Sequence, residues 1–147
     1  MRKLSKSITV VLILLAILLE WIVEQKNINH SIAEKYIGQC VAIEFDGADA
    51  FQSASKTAIL FKSKGFQGPI EALFIISDNE IEKLQILKSN EGLDKSALNS
   101  PKFLKSFELN VHDLPLDVDA VSGATISSQI IIDEMNRYIK EWNKKYD

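Results

Sequence analysis

Cysteine is almost absent. The 147-residue chain holds one, Cys40, which excludes an internal disulfide framework and any multi-cysteine metal site. Histidine is nearly as scarce. His30 and His112 lack the i, i+4 spacing of a helical metal pair, so each reads as a solvated or core residue. A basic excess is missing too: 17 Lys and Arg stand against 20 Asp and Glu, which leaves no electrostatic footprint for nucleic acid. Internal repeats and low-complexity linkers are absent. The length allows one domain with a tail or anchor, and a hydrophobic content of 46% supplies a core beyond the N-terminus.

What is present begins with "MRKLSKSITVVLILLAILLEWIVEQKN". Arg2, Lys3 and Lys6 precede an apolar run from Ile8 to Leu19, which resumes after Glu20 as Trp21, Ile22 and Val23. As a helix, Ile8 to Val23 spans roughly 24 Å, slightly short of a hydrocarbon core of about 30 Å. Glu20 lies near one end, within reach of headgroups, and Trp21 suits the interfacial belt. The basic flank keeps the N-terminus cytoplasmic and sends the rest across. A cleaved signal peptide is the competing reading. No small-x-small site directly follows the apolar run, because Ser31-Ile32-Ala33 comes late, so the pattern favours an uncleaved signal-anchor. No cysteine follows closely enough for a lipoprotein anchor. A buried helix of a soluble protein would make the three basic residues a coincidence. The chain thus divides into 1–26, flank and anchor, and 27–147, an extracytoplasmic domain.

Beyond the anchor, Lys26 to Tyr36 is polar and continues as helix or stalk. Cys40 to Asp46 has the strand habit, and Lys56 to Phe66 holds a second apolar run. Ile70–Ile76 and Ile81–Leu87 flank Asp78-Asn79, the pattern of a β-hairpin, although Glu82 and Lys83 break strict alternation. Ser100 before Pro101 predicts a helix N-cap with proline in the first turn, followed by Phe103, Leu104 and Phe107 at helical spacing. An extended or loop segment surrounds Pro115. The last element is a helix from Thr125 or Ile126, with an apolar stripe of Ile126, Ile130, Met135, Tyr138, Ile139 and Trp142. The expected class is α+β: a small antiparallel-rich sheet packed with helices.

The run Ser122-Gly123-Ala124-Thr125 precedes that helix. Gly123 permits a tight or left-handed backbone, and Ala124 keeps the surface flat. The free N–H groups and the dipole of the helix point back at this loop and favour a phosphate. Thr125 places a hydroxyl there that is able to carry a phosphate ester. The plainer alternative is an ordinary N-cap, from Ser122 or Thr125.

Asp119-Ala120-Val121-Ser122-Gly123-Ala124-Thr125 resembles the flavinylation motif of the FMN-binding domain family. Members of that family include the G subunit of the Rnf complex and the C subunit of sodium-pumping NADH:quinone oxidoreductase. The resemblance implies FMN joined to Thr125 by a phosphoester, with Asp119, Ser122, Gly123 and Ala124 forming the motif. It also implies a flavin transferase that uses FAD as donor and a divalent metal. Ser127 stands where the family commonly has threonine. Upstream, Gly65, Phe66, Gly68, Pro69 and Ile70 resemble the family's Gly-Tyr-x-Gly-Pro-Ile hairpin. Glu91 and Gly92 fall where the family carries a Glu-Thr-Pro-Gly loop over the flavin; here the Thr-Pro between them is missing. The match covers about Tyr36 to Trp142, and two motifs in order are more specific than either alone.

The implied task is electron transfer between a membrane donor and an extracytoplasmic acceptor, with redox proteins or a quinone-linked complex as partners. A covalent link prevents loss of FMN to the medium, and the anchor raises effective concentration near membrane partners. Two other classes remain open. One is a flavin-dependent reductase of a small external substrate, for which His112 and Asp113 are the available polar groups. The other is a tethered binding domain without flavin.

Overall fold

The computed structural model describes residues 2–90 and 95–146. Helix α1 runs unbroken from Arg2 to Ile37. Its residues Ile8 to Val23 are exposed all round, and the helix is long and apolar enough to cross a membrane. A helix apolar on every side has no single inward face to bury against a small domain. The polar stretch after Val23 continues the same helix, as its composition suggests, and ends at Gly38 with φ +76°.

Five strands follow: β1 Val41–Ile43, β2 Asp49–Gln52, β3 Lys56–Lys64, β4 Pro69–Ser77 and β5 Glu80–Ser89. They form one antiparallel meander in chain order. Each connection is short, so each strand pairs with its sequence neighbour. Strand β4 is buried on both faces, with Ala72, Phe74 and Ile76 on one side and Leu73 and Ile75 on the other. That explains its continuous apolar run. The β4–β5 turn is Asp78-Asn79, with φ of 49° and 63°, the two positive values that a primed two-residue hairpin turn requires. In β5 the register shifts twice: Ile75 pairs with Lys83 but Ile76 with Ile81, and Ala72 with Ile86 but Glu71 with Lys88. Glu82 and Leu87 are the unopposed residues of two bulges, and the first accounts for the broken alternation at Glu82-Lys83.

Two short helices come next, α2 Lys95–Leu98 and α3 Pro101–Lys105. As expected from Ser100-Pro101, the Ser100 hydroxyl accepts from the Phe103 amide and Pro101 sits in the first turn. The final helix α4 runs Thr125–Tyr146. The architecture is α+β, with the sheet between two helical layers. The larger core joins the sheet to α3, α4 and the loop between them, through Phe61, Phe74, Phe103, Phe107, Met135, Tyr138 and Ile139. The smaller lies on the opposite face, where Ala33, Ile32, Tyr36 and Ile37 of α1 meet Phe51, Ala58, Leu60, Leu73 and Ile75.

Strand β2 has no sequence signal of its own. Four residues, Asp-Ala-Phe-Gln, are held by pairing to β1 and β3. The apolar stripe of α4 also needs correction. Ile126 is 54% exposed and Ile130 only half-buried, whereas Ser127, Ser128, Ile131 and Ile132 turn inward. The cause is polar, and it lies at the site.

Candidate functional site

The loop from Asn110 to Ala124 is laid along α4 by two asparagines. Asn136 accepts from the Leu116 amide at 2.8 Å, and Asn143 donates to the Val111 carbonyl at 2.7 Å. Neither stands out in the sequence, because amides on the polar side of a helix normally face water. Here they satisfy loop backbone that would otherwise lie unpaired against the protein.

The loop ends in the motif. Gly123 adopts φ +86°, the left-handed conformation expected of it, and a Cβ built there would meet nothing within 4 Å. The backbone turn alone demands glycine, and open space surrounds it. Ala124 is buried in the larger core and anchors the turn. Its amide donates to the Val121 carbonyl at 3.0 Å, and its carbonyl accepts the Ser128 amide at 2.9 Å. Ala124 therefore occupies the cap position of α4, with no side-chain oxygen to fill it. Ser128, buried, ties the loop to this turn: its hydroxyl accepts from the Val121 amide at 2.9 Å and donates to the Ala124 carbonyl at 2.8 Å. Ser127, equally buried, accepts from the Phe66 amide at 3.5 Å. These two serines fix the first turn of α4 against the loop and the hairpin. Counting apolar residues overlooks them, and the stripe shifts accordingly.

Thr125 is the first residue of α4 and is exposed. Its hydroxyl makes one long hydrogen bond, 3.4 Å, to the Val121 carbonyl. Ser122 is exposed as well. Neither hydroxyl caps the helix, so the N-cap alternative does not describe this turn. The residues present fit a phosphate ester: an exposed hydroxyl, the positive end of a 22-residue helix, and an uncrowded glycine beside it.

Asp119, exposed, and Ser122 line a groove with Ser100, Lys102, Phe103, Ser106, Asp117, Ala120 and Val121, enclosing about 300 Å³. His112 and Asp113 are exposed on the loop and lie outside that lining. The second motif also meets the first. Residues 65–68 form the β3–β4 turn, closed by the Gly65 amide donating to the Gly68 carbonyl at 2.8 Å. Phe66 at its tip is 64% exposed. A Cβ on Gly68 would come within 2.9 Å of the Asn90 Cβ, so glycine lets the end of β5 pass against the turn. Glu91 and Gly92 lie outside the described residues. Asn90, which precedes them, packs at this turn.

A single sheet domain thus presents, at one helix start, an exposed hydroxyl near a hairpin turn and a groove. An exposed hydroxyl at the positive end of a helix can accommodate a phosphate. The FMN-binding domain family model matches residues 65–140, just over half of the chain and both motifs together. The chain belongs to the FMN-binding domain family, whose cofactor is FMN. It is also 33% identical over 108 residues to the G subunit of an ion-translocating oxidoreductase complex from Methanosarcina acetivorans, covering 67% of this chain and 57% of that relative. The chain therefore spans little more than half the length of that relative.

Proposed function

We propose that the protein is a membrane-anchored, extracytoplasmic flavoprotein that carries FMN as a phosphoester on Thr125 and transfers electrons between membrane redox partners and an acceptor. The observation that carries this reading is the exposed Thr125 hydroxyl at the head of α4, directly after a left-handed Gly123, within the family match. Attachment breaks the pyrophosphate bond of FAD, joins the FMN phosphorus to the Thr125 Oγ1 and releases AMP. The hydroxyl proton goes to solvent. A flavin transferase with a divalent metal performs this step. Asp119 and Ser122, exposed beside the hydroxyl, form the surface that the transferase reads. FMN supplies reversible electron transfer once bound. The fold supplies the address and the phosphate seat.

The anchor reading rests on the apolar length of α1 and on a relative named as a subunit of an ion-translocating complex. Arg2, Lys3 and Lys6 orient the N-terminus inward by the positive-inside rule, leaving residues from about 27 onward outside. The partners on this reading are the membrane and its redox proteins or a quinone-linked complex. Direct reduction of a small substrate is less well supported, because His112 and Asp113 lie away from the groove.

The decisive experiment coexpresses the chain with a flavin transferase, denatures it, and seeks in-gel fluorescence and an FMN-sized mass increment on the peptide holding residue 125. Thr125→Ala should abolish the label and, because the Thr125 hydroxyl does not cap α4, leave the fold intact. Thr125→Ser should retain some label, and Ser122→Ala at least part of it. Covalent flavin on Thr125→Ala, or label mapping to Ser122, Ser127 or Ser128, refutes the assignment. Topology is checked by adding protease to intact spheroplasts, where the domain should be digested; protection until lysis reverses the orientation.

A further inference from the structure

We infer that the β3–β4 turn is a second membrane contact: Phe66 at its tip and Ile126 beside it enter the lipid interface, while Lys62, Lys64 and Lys88 reach lipid phosphates; the inference rests on the anchor reading of α1 above. The path of α1 decides which end of the sheet faces the bilayer. Helix α1 ends at Ile37, and a short turn leads to Val41, which opposes Gln52 at one end of β2. Asn29, earlier in α1, donates to Asp49 at the other end of β2. Lys26 and Asn27 line a cleft with Glu44, Phe45 and Ala48 at the β1–β2 connection. The apolar run stops at Val23, about 5 Å along the helix from Lys26. In an antiparallel meander the β1–β2 and β3–β4 turns share one end of the sheet, and this is the end that α1 holds at the lipid interface.

That end has the chemistry of an interfacial contact. Phe66 and Ile126 are each more than half exposed. They stand close together, because the Phe66 amide donates to the hydroxyl of Ser127, the residue after Ile126. Neither serves the core, and an aromatic with an aliphatic neighbour suits the headgroup boundary. Behind them, on the sheet face that α1 covers, Lys62 opposes Glu71 and Glu71 opposes Lys88. Lys64, two residues beyond Lys62, points to the same face. Lys62 and Glu71 pair at 3.4 Å, so three exposed cations stand around one carboxylate. Lysine stems lie along apolar surface while their ammonium groups meet phosphate. Glu44 and Asp46 are exposed at the β1–β2 turn, so the contact with phosphate falls to the β3–β4 side. A single helix lets a domain pivot; a second point of contact fixes its tilt.

The test uses the full-length chain in protein-free vesicles of phosphatidylcholine and phosphatidylglycerol. Cys40→Ala removes the native thiol, and a nitroxide is placed on one introduced cysteine at a time. Phe66→Cys reports the tip, Ala54→Cys the far end of the sheet and Leu15→Cys the apolar run; all three positions are exposed, so the core stays intact. Collision of the nitroxide with oxygen, which concentrates in lipid, is compared with collision with a water-soluble nickel chelate. The oxygen-to-nickel ratio at position 66 should exceed that at position 54 several-fold. Ile126→Cys reads the same contact from α4 and should agree with position 66. Lys64→Glu and Lys88→Glu together should pull position 66 back toward the value at 54. A lipid-like ratio at position 15 with equal ratios at 66 and 54 overturns the docking and leaves the anchor standing. A water-like ratio at position 15 overturns both. A ratio at 66 that ignores the two charge reversals removes the lysines from the contact.

Discussion

Helices α1 and α4 cover opposite faces of one sheet by different means. Helix α4 buries Ile131, Ile132, Met135, Tyr138, Ile139 and Trp142 in the larger core. Tyr138 sits at its centre, packed on Phe61 at 5.2 Å and Phe74 at 6.3 Å between ring centroids, with its hydroxyl donated to the Gly47 carbonyl at 2.8 Å. Helix α1 brings one small buried apolar residue, Ala33, with Ile32, Tyr36 and Ile37 half-buried around it. Its other attachments include a ring contact of His30 with Phe51 at 5.4 Å between centroids and polar contacts. Asn29 donates to the Asp49 carboxylate at 2.6 Å, and the His30 ring meets the Cys40 carbonyl at 2.9 Å. The apolar residues of α1 are concentrated in Ile8 to Val23, away from the sheet. The difference shows that the two helices have separate duties. One organises the core and holds the site at its first turn; the other leads away from the domain and touches it lightly.

The largest expected effect tests that division directly. Met135 is fully buried in the larger core, so Met135→Ala should cost about 2–5 kcal/mol of stability. Ile32→Ala on the other face removes a half-buried side chain and should cost about 1 kcal/mol. Denaturant unfolding of the full chain in detergent measures both. Equal losses would erase the contrast between the faces. Asn29 sharpens it from the polar side. Asn29 is buried, accepts from Gln25 and donates to Asp49. Asn29→Ala deletes a hydrogen bond to a charged group and leaves the carboxylate short of a donor, at a cost of about 1–3 kcal/mol. A loss below that of Ile32→Ala would mean that α1 is held by its apolar contacts after all.

The two helices also differ in how much of them a sequence reveals. Apolar length marks α1, and the end of its polar continuation falls close to the expected Tyr36. Small residues before an amphipathic run mark the start of α4, at the residue expected. Local rules likewise govern the Asp78-Asn79 turn and the Ser100-Pro101 cap, because both depend on neighbours within four residues. What escaped depends on distant partners. Strand β2 exists through pairing with both neighbours. The inward face of α4 is turned by Ser127 and Ser128, whose partners Phe66 and Val121 are remote or lie outside the helix. The groove that includes Lys102 and Asp119 forms only when α3 folds beside the motif. The motif residues were therefore legible in the sequence, and the groove beside them was not.

Gly123 gives a smaller and more pointed test of the α4 side. With φ +86° and no atom within 4 Å of where a Cβ would stand, Gly123→Ala meets no clash, so its cost is backbone strain alone, about 1–2 kcal/mol. Covalent labelling should fall more steeply than stability, because a turn that relaxes toward negative φ moves the Thr125 hydroxyl. Labelling and thermal unfolding measured on the same preparation separate the two effects. Loss of stability with full labelling would show that the transferase tolerates a displaced turn.

The smallest effect belongs to Cys40, on the α1 side. It is half-buried before β1, against the smaller core and on the sheet face opposite α4. Burial, with a smaller contribution from the Glu34 carboxylate, pushes its thiol above the usual range. The thiolate is the reactive form, so a raised pKa leaves less of it at any pH below that value. Alkylation of Cys40 by iodoacetamide should be slower than that of an unperturbed thiol at pH 8 and should still be climbing where the free thiol has levelled off. Cys40→Ala removes a small packing group and should cost about 1 kcal/mol or less, with covalent flavin and its potential unchanged. The three readouts bear on one point. Rapid alkylation at pH 8 would contradict the buried environment, and a lost label in a folded Cys40→Ala chain would tie the α1 face to the flavin site and break the separation of duties between the two helices.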